Sequence, residues 1–145
     1  MLQIRNADLD ELRTHAEDAY PNECCGVLLG RADGDVRTVE STIRCANALS
    51  DPSRQYFIDP AELIGVQREA REHGLSIVGF YHSHPDHPLR HSNRDLAEAH
   101  WTGCDYLIVS VQRGVAGDVN AYRLVGSSDG EKHFVRETVV TERIA

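Results

Sequence analysis

Long apolar runs are absent from this sequence. No stretch approaches the ~20 consecutive apolar residues that a membrane-spanning helix requires. The first residues, MLQIRNADLDELR, contain no apolar segment of signal-peptide length. We therefore expect neither a signal peptide nor a membrane-spanning segment. The cytoplasmic location that we expect depends on the cysteines.

Cysteine is scarce, and its spacing does not favour cross-links. The chain has four cysteines, of which two are adjacent and none form a CxxC pair: Cys24, Cys25, Cys45 and Cys104. This pattern favours neither a disulfide framework nor a four-thiolate zinc site. We expect reduced thiols, with Cys24 and Cys25 packed in or beside a strand because free cysteine is usually buried.

Positive charge is also in short supply. The chain carries 15 lysine and arginine residues against 23 aspartate and glutamate residues, a formal net charge of −8. Its basic residues are scattered singly, so no basic run could follow a phosphate backbone. A nucleic-acid partner and an anionic membrane surface are both disfavoured.

The remaining composition is that of an ordinary globular protein. Of the 145 residues, 41% are hydrophobic and 26% are charged, and a chain of this length usually forms one domain. Folding would bury roughly two-thirds of the unfolded surface, so stability alone requires no metal. We expect a single domain over residues 1–145.

Capping residues, apolar periodicity and turn signals predict the secondary structure. Three helices are predicted over residues 8–20, 59–73 and 92–103. Strands are predicted over 27–30, 36–46, 55–58, 77–84, 106–111, 119–124 and 133–140. The first three strands and the last four look hairpin-linked, which indicates an α+β or α/β domain with a mixed, largely antiparallel sheet.

A histidine-rich segment, YHSHPDHPLRHSNRD at residues 81–95, follows an apolar run. His82 and His84 are two residues apart at the end of a predicted strand, so both imidazoles project from one face. Asp95 follows in the first turn of the third predicted helix. Two imidazoles and a carboxylate suit zinc and leave a fourth position open, as catalytic zinc sites do.

A plainer interpretation of this segment stays open. Ser92 and Asp95 also form a capping-box pattern, and the helix dipole favours an acid in a first turn. A cap does not account for the two histidines on the preceding strand. The other histidines are not predicted to be ligands: His15, His73, His87, His91, His100 and His133.

The combined pattern of His82-x-His84-Pro85, six residues, Ser92, two residues and Asp95 resembles the signature of the JAMM (MPN-plus) family of zinc metallopeptidases. That family also carries a glutamate ahead of its first core strand, where this chain has Glu23 in PNECCGVLLG. The order of elements is similar over nearly the whole chain. The resemblance implies the JAMM/MPN fold, a cytidine-deaminase-like mixed sheet flanked by about three helices.

The resemblance also implies a role for each motif residue. His82, His84 and Asp95 would bind Zn²⁺, Glu23 would be the general acid/base, and Ser92 would hydrogen-bond the oxygen of the tetrahedral intermediate. These roles agree with the chemistry of zinc-assisted hydrolysis. The chain departs from many family members at His91, where they have proline, and this implies a less rigid loop with a titratable group near the site.

The segment Glu-Cys-Cys-Gly resembles small prokaryotic members of the family. This implies that the partner is a ubiquitin-like sulfur-carrier protein of the ThiS/MoaD type, cleaved after its C-terminal Gly-Gly tail. The released group is cysteine, a peptide or a conjugated protein, and all three stay open at this point. The oligomeric state also stays open.

Three alternative functions have weaker support. Non-enzymatic MPN-type interaction scaffolds typically lack the metal ligands, whereas this chain retains them. A zinc nucleobase deaminase needs an HxE motif and a downstream PCxxC motif, and the sequence contains no PCxxC motif. A cysteine peptidase built on Cys24 or Cys25 would keep its activity after chelation, which separates it from a zinc enzyme.

Overall fold

The computed structural model describes residues 1–49, 51–53, 55–126 and 130–142. Within these ranges the helices are α1 (Asn6–Ala19), α2 (Pro60–Glu72) and α3 (Asn93–Glu98). The strands are β1 (Leu2–Arg5), β2 (Cys25–Asp33), β3 (Val36–Cys45), β4 (Ser76–Pro85), β5 (Asp105–Gln112), β6 (Val115–Gly126), β7 (Lys132–Glu137) and β8 (Val139–Glu142).

Local sequence signals predict one helix start correctly and another wrongly. The start of α2 is as predicted, because Asp59 accepts a hydrogen bond from the Ala61 backbone N–H at 2.8 Å and Pro60 occupies the first position. The predicted start of α1 at residue 8 is wrong. The helix follows β1 directly with Arg5 as its N-cap, and Asp8 lies in the first turn, where it pairs with Arg5 at 2.9 Å.

Helix α3 is shorter than predicted and ends at Glu98. Ala99 has extended dihedrals, with φ −79° and ψ 126°, and its side chain is buried in the apolar cluster that also contains Tyr106. Lys132 donates hydrogen bonds to the backbone carbonyls of Ala97 and Ala99. Tertiary contacts therefore stop this helix well before Gly103.

The strands form one mixed sheet in the order β7-β6-β5-β4-β2-β3-β1-β8. Strands β4 and β5 pair in parallel, so the expected hairpin link between them is wrong and α3 lies in the crossover. The predicted strand 133–140 is interrupted at Thr138, whose carbonyl accepts a hydrogen bond from the Leu2 backbone N–H at 2.8 Å. Since β7 and β8 lie at opposite edges but are neighbours in sequence, the sheet must curl.

Two further strand predictions fail for physical reasons. The short strand β1 was not predicted, and it is held by parallel pairing with both β3 and β8. Residues 55–58 were predicted to form a strand but are irregular. The side chains of Tyr56 and Ile58 instead pack against an apolar cluster. The expected fold class, a mixed sheet flanked by three helices, is confirmed.

Apolar side chains cover both faces of the sheet. One cluster contains Leu9, Leu12 and Ala16 of α1. The other contains Val66 and Ala70 of α2. Both helices therefore pack on the sheet. Among the described residues, no helix has both the length and the apolarity needed to cross a membrane.

Gly30 lies at a bulge in β2, where its backbone closely approaches β3. A Cβ atom at Gly30 would come within 1.8 Å of the Thr38 carbonyl oxygen. We expect Gly30→Ala to lower the free energy of unfolding by about 1–3 kcal/mol, because backbone atoms must shift to admit the methyl group. Urea unfolding measures this change.

Gly65 provides the matched control for this substitution. It lies in α2, and beyond its chain neighbours and the helix's own backbone no heavy atom of the described residues lies within 4 Å of a Cβ placed on it. Gly65→Ala should raise stability by about 0.8–1.0 kcal/mol, the usual difference between these residues in a helix. Equal effects of the two substitutions would contradict a steric role for Gly30.

Candidate metal centre

The candidate site lies at the C-terminal end of β4, beside the start of β2. His82 and Cys25 are directly paired across these antiparallel strands. Ser83, between the two histidines, accepts a hydrogen bond from the Cys24 backbone N–H at 2.8 Å, and its own backbone N–H donates to the Cys24 carbonyl at 3.2 Å. Two strands thus bring Glu23 next to the histidines.

The three side chains predicted to bind metal converge on one point. The Nε2 atoms of His82 and His84 are 3.1 Å apart. Asp95 lies against both, with Oδ1 3.2 Å from His82 Nε2 and Oδ2 3.1 Å from His84 Nε2. His82 and His84 are buried. The structure therefore gathers these donors where little water competes for them.

These separations can be compared with those of a tetrahedral zinc site. Two ligand atoms at ~2.0–2.1 Å from zinc lie about 3.3–3.4 Å apart. The observed separations of 3.1 to 3.2 Å among His82, His84 and Asp95 differ from that by a few tenths of an ångström. Two imidazole nitrogens and one carboxylate form a donor set that zinc accepts. The residues present therefore fit a zinc ion.

Neighbouring groups hold the imidazoles in place. The Nδ1–H of His84 donates to the Pro88 carbonyl, 2.8 Å away, which leaves Nε2 as the atom available to a metal. The ring of Tyr56 stacks on His82 at 4.6 Å between centroids. His82 Nδ1 is buried with no hydrogen-bond partner among the described residues.

Charge and burial oppose each other at the three side chains. Burial lowers the pKa of His82. Burial acts in the same way on His84, but hydrogen bonds to Asp95 and to the Pro88 carbonyl outweigh it and raise the pKa of His84. Burial also disfavours ionised Asp95, yet hydrogen bonds from both histidines outweigh it and lower the pKa of Asp95. Asp95 is therefore a carboxylate, and protons compete with a metal for the imidazole nitrogens.

Glu23 is fixed beside this cluster by its backbone. Its N–H donates to the Pro52 carbonyl at 2.8 Å, and its carbonyl accepts from Asn47 Nδ2 at 3.1 Å. The side chain is buried, and Oε1 has no hydrogen-bond partner among the described residues. Burial is the largest influence on Glu23 and raises its pKa to about 8. A carboxyl group with this environment is suited to exchanging protons.

The distances admit two sets of three metal ligands. One set is His82, His84 and Asp95. The other replaces Asp95 with Glu23, because one atom of each of Glu23, His82 and His84 lies within 4.8 Å of the others. The Asp95 oxygens lie 3.2 and 3.1 Å from the histidine Nε2 atoms, well within this 4.8 Å limit. This favours the first set and leaves Glu23 free to accept and donate protons.

Ser92 takes part in the capping box that the sequence predicted. Its Oγ accepts a hydrogen bond from the Asp95 backbone N–H at 3.0 Å, and its backbone N–H donates to Asp95 Oδ2 at 2.8 Å. Asp95 therefore belongs both to the cap and to the proposed metal site, and Ser92 belongs both to the cap and to the predicted oxyanion contact. The hydroxyl proton of Ser92 is not used by the cap and stays available to a substrate.

Several residues near the site escaped the sequence analysis. Tyr56 lies in the segment wrongly predicted as a strand, and the Pro88 carbonyl carries no side-chain signal. Asn47 bridges the carbonyls of Glu23 and Gln55 through Nδ2. A lone asparagine after a strand is too common to mark such a role.

Ring contacts describe the environment of His91, and burial describes that of the cysteines. The His91 ring contacts Tyr122 and Phe134 edge-on at 4.8 and 4.9 Å between centroids, so these contacts hold the loop. The four cysteines are free and buried. Burial raises the pKa of Cys24 to about 11 and raises that of Cys25 further. Nucleophilic cysteines need thiolate character, so neither residue is suited to that chemistry.

The chain is similar in sequence to several proteins with functional names. The chain is 38% identical over 106 residues to a protein of Haloferax volcanii named desampylase, covering 73% of this chain and 75% of that protein. It is 35% identical to a probable TtuB-protein conjugate cleaving protease of Thermus thermophilus, covering 70% and 65% of the two chains. It is 29% identical to the CysO-cysteine peptidase of Mycobacterium bovis, covering 91% and 88%.

A solved structure and a protein family are also similar to this chain. The solution structure of protein DSY2949 from Desulfitobacterium hafniense superimposes with a TM-score of 0.85 at 30% identity, covering 99% of this chain and 94% of that one. The family described as prokaryotic homologs of the JAB domain matches residues 6–125. The chain therefore belongs to the prokaryotic JAB family, the JAMM-type group that its His-x-His-Pro and Ser-x-x-Asp motifs resemble.

Proposed function

We propose that this protein is a zinc-dependent peptidase or isopeptidase acting on a ubiquitin-like sulfur-carrier protein of the ThiS/MoaD type. It hydrolyses the bond that follows the C-terminal Gly-Gly tail of the carrier. The zinc ligands are His82, His84 and Asp95, the general acid/base is Glu23, and Ser92 stabilises the oxyanion.

One observation carries the proposal. Within the described part of the chain, the buried carboxyl group of Glu23 has one oxygen with no hydrogen-bond partner. It lies beside two imidazoles that are themselves in contact with a carboxylate. Buried polar atoms are normally hydrogen-bonded, so an unpartnered one is a candidate for chemistry. A structural role for this cluster would not require the free oxygen.

The chain's own groups supply the proton transfers. Zinc, when bound, polarises the scissile carbonyl and lowers the pKa of a water molecule. Glu23 takes the proton of the attacking water and returns it to the departing amine. Ser92 donates its hydroxyl proton to the carbonyl oxygen as negative charge grows there. Asp95 orients Ser92 by accepting its backbone N–H.

The names of the relatives support the substrate class. Two of them are named for TtuB-protein conjugates and for CysO-cysteine, and their activity is hydrolysis. We assign the same class of bond to this chain, with a conjugated protein, a peptide or cysteine as the released group. We also extend the domain to all of residues 1–145 and propose a cytoplasmic location, in keeping with four free cysteines.

Ser92→Ala tests the oxyanion role. Loss of one oxyanion donor typically lowers kcat by about 10²–10³, and loss of the cap lowers stability by about 1 kcal/mol. Ser92→Thr keeps the hydroxyl and should retain most of kcat and most of the stability. Steady-state kinetics with both variants, under conditions where both are folded, measures the difference, and equal kcat values would contradict the role of the hydroxyl.

The proposed activity is tested with a purified carrier that bears a C-terminal extension after Gly-Gly. We expect mass spectrometry to detect the carrier ending in Gly-Gly and the released group. A chelator should abolish the cleavage, and added zinc should restore it. Cleavage that survives complete removal of metal would contradict the proposal.

A further inference from the structure

A wide cleft opens in front of the candidate metal centre. Its volume is about 800 Å³, and Glu23 and His84 contribute to its wall. Arg90 and Arg94, from the loop after β4 and the first turn of α3, also line it. Both arginines are exposed. The reacting groups and two cationic side chains therefore share one cleft.

In the ranges that the structure describes, Arg90 and Arg94 lack the acidic partners that other arginines have. Arg44, for example, binds Glu11 at 2.8 Å and Asp18 at 3.1 Å. Among the described residues, Arg90 and Arg94 form no hydrogen bond and no ion pair with the protein. The chain has 23 acidic residues, so this absence is not due to a shortage of acids. Two unpaired guanidinium groups in a cleft are suited to binding a carboxylate.

The position of Arg94 relative to Glu23 indicates which side of the cleft receives the leaving group. Burial has the largest effect on the pKa of Glu23, and the charges of His84, Asp95 and Arg94 have the next largest effects. Arg94 thus lies close enough to Glu23 to act on it electrostatically. Glu23 returns a proton to the departing amine, so the amine must lie next to Glu23. The wall that contains Arg94 is therefore on the leaving-group side of the cleft.

We propose that Arg90 and Arg94 bind the free α-carboxylate of the leaving group. The inference rests on the proposed function and ranks its possible substrates. An amino acid joined through its α-amine carries a carboxylate on the carbon next to the scissile nitrogen. A lysine joined through its ε-amine has a methylene chain there instead. The preferred substrate is therefore a carrier with a single α-linked amino acid after Gly-Gly.

The reaction itself is ordinary hydrolysis. The acyl C–N bond after the second glycine breaks, the hydroxyl group of water goes to the acyl carbon, and the proton goes to the amine. The products are a carrier ending in a free carboxylate and a free amino acid. Arg90 and Arg94 act as specificity-determining residues and take no part in the proton transfers.

The test compares two matched substrates that differ in one group. One is carrier-Gly-Gly-Cys with a free α-carboxylate, and the other is the same molecule with a C-terminal carboxamide. We expect kcat/KM to be about 10–100 times higher for the acid, because a hydrogen bond to a charged group is lost in the amide. The ratio should fall towards one in the R90Q/R94Q double variant. Using the ratio cancels any effect of the variant common to both substrates.

Arg68 provides the control, since it is exposed on α2 and does not line this cleft. R68Q should keep the full acid-to-amide ratio. Equal hydrolysis of acid and amide by the unmodified protein would overturn the inference and leave the proposed function intact. The inference would also be overturned if KM of the double variant rose equally for both substrates. The arginines would then bind an acidic surface of the carrier. Failure to cleave either substrate, or a lysine isopeptide on the same carrier, would overturn the proposed function itself.

Discussion

Glu23→Gln is expected to lower kcat by about 10²–10⁴, the usual contribution of a positioned general acid/base. Glutamine has the same shape and keeps an oxygen in the same place, but it cannot take up or return a proton. The backbone contacts to Pro52 and Asn47 do not involve the side chain and should persist. Steady-state kinetics on a carrier adduct measures the loss.

The control for this prediction is the same exchange at an exposed glutamate. Glu69 lies on the solvent side of α2, and Glu69→Gln should leave kcat within about twofold, since surface changes away from a site are usually small. Glutamine is uncharged and nearly the same shape as the buried Glu23 side chain, so Glu23→Gln should cost little stability. Full activity of Glu23→Gln would refute the assignment of Glu23 as acid/base.

Asp95→Asn is expected to reduce hydrolysis to the background rate. The asparagine amide still has an oxygen that can accept the hydrogen bond from the Ser92 backbone N–H, so α3 should keep its cap. It no longer has the negative charge that faces His82 and His84 at 3.2 and 3.1 Å. A neutral oxygen is a much weaker ligand for a divalent ion, so metal binding should fail before the fold does.

Asp59 offers the matched control, because it is the N-cap of α2 and accepts a hydrogen bond from the Ala61 backbone N–H at 2.8 Å. Asp59→Asn makes the same chemical change at another helix start. It should retain activity, and thermal unfolding should show similar small shifts for both variants. If Asp95→Asn kept its activity, Asp95 would be a cap only, which is the plainer interpretation of the Ser92–Asp95 pair.

The site could be anticipated from the sequence because its side chains follow local rules. Two histidines two residues apart on a strand must share a face, and a serine three residues before an acid predicts a capping box. Both patterns survive in the structure, with a capping box at Ser92 and the His82 and His84 nitrogens 3.1 Å apart. The distant Glu23 came only from the resemblance to a family.

The remaining features depend on contacts between distant segments. Tyr56 stacks on His82 from residues 55–58, which were predicted to form a strand. Strand β1 exists because it fills the gap between β3 and β8, which no local pattern encodes. The break at Thr138 follows from the curl of the sheet, since its carbonyl pairs with Leu2 across the chain. Propensity is a weak guide wherever tertiary pairing decides.

The most direct test of the central claim is the zinc content of three proteins, measured by elemental mass spectrometry. The unmodified protein and Glu23→Gln should each hold about one zinc per chain, and His84→Ala should hold little. That result would make His84 a ligand and put Glu23 outside the coordination shell, where an acid/base belongs. Loss of zinc from Glu23→Gln as well would make Glu23 a ligand, and no zinc in any of the three would indicate a non-enzymatic scaffold; either result would contradict the account.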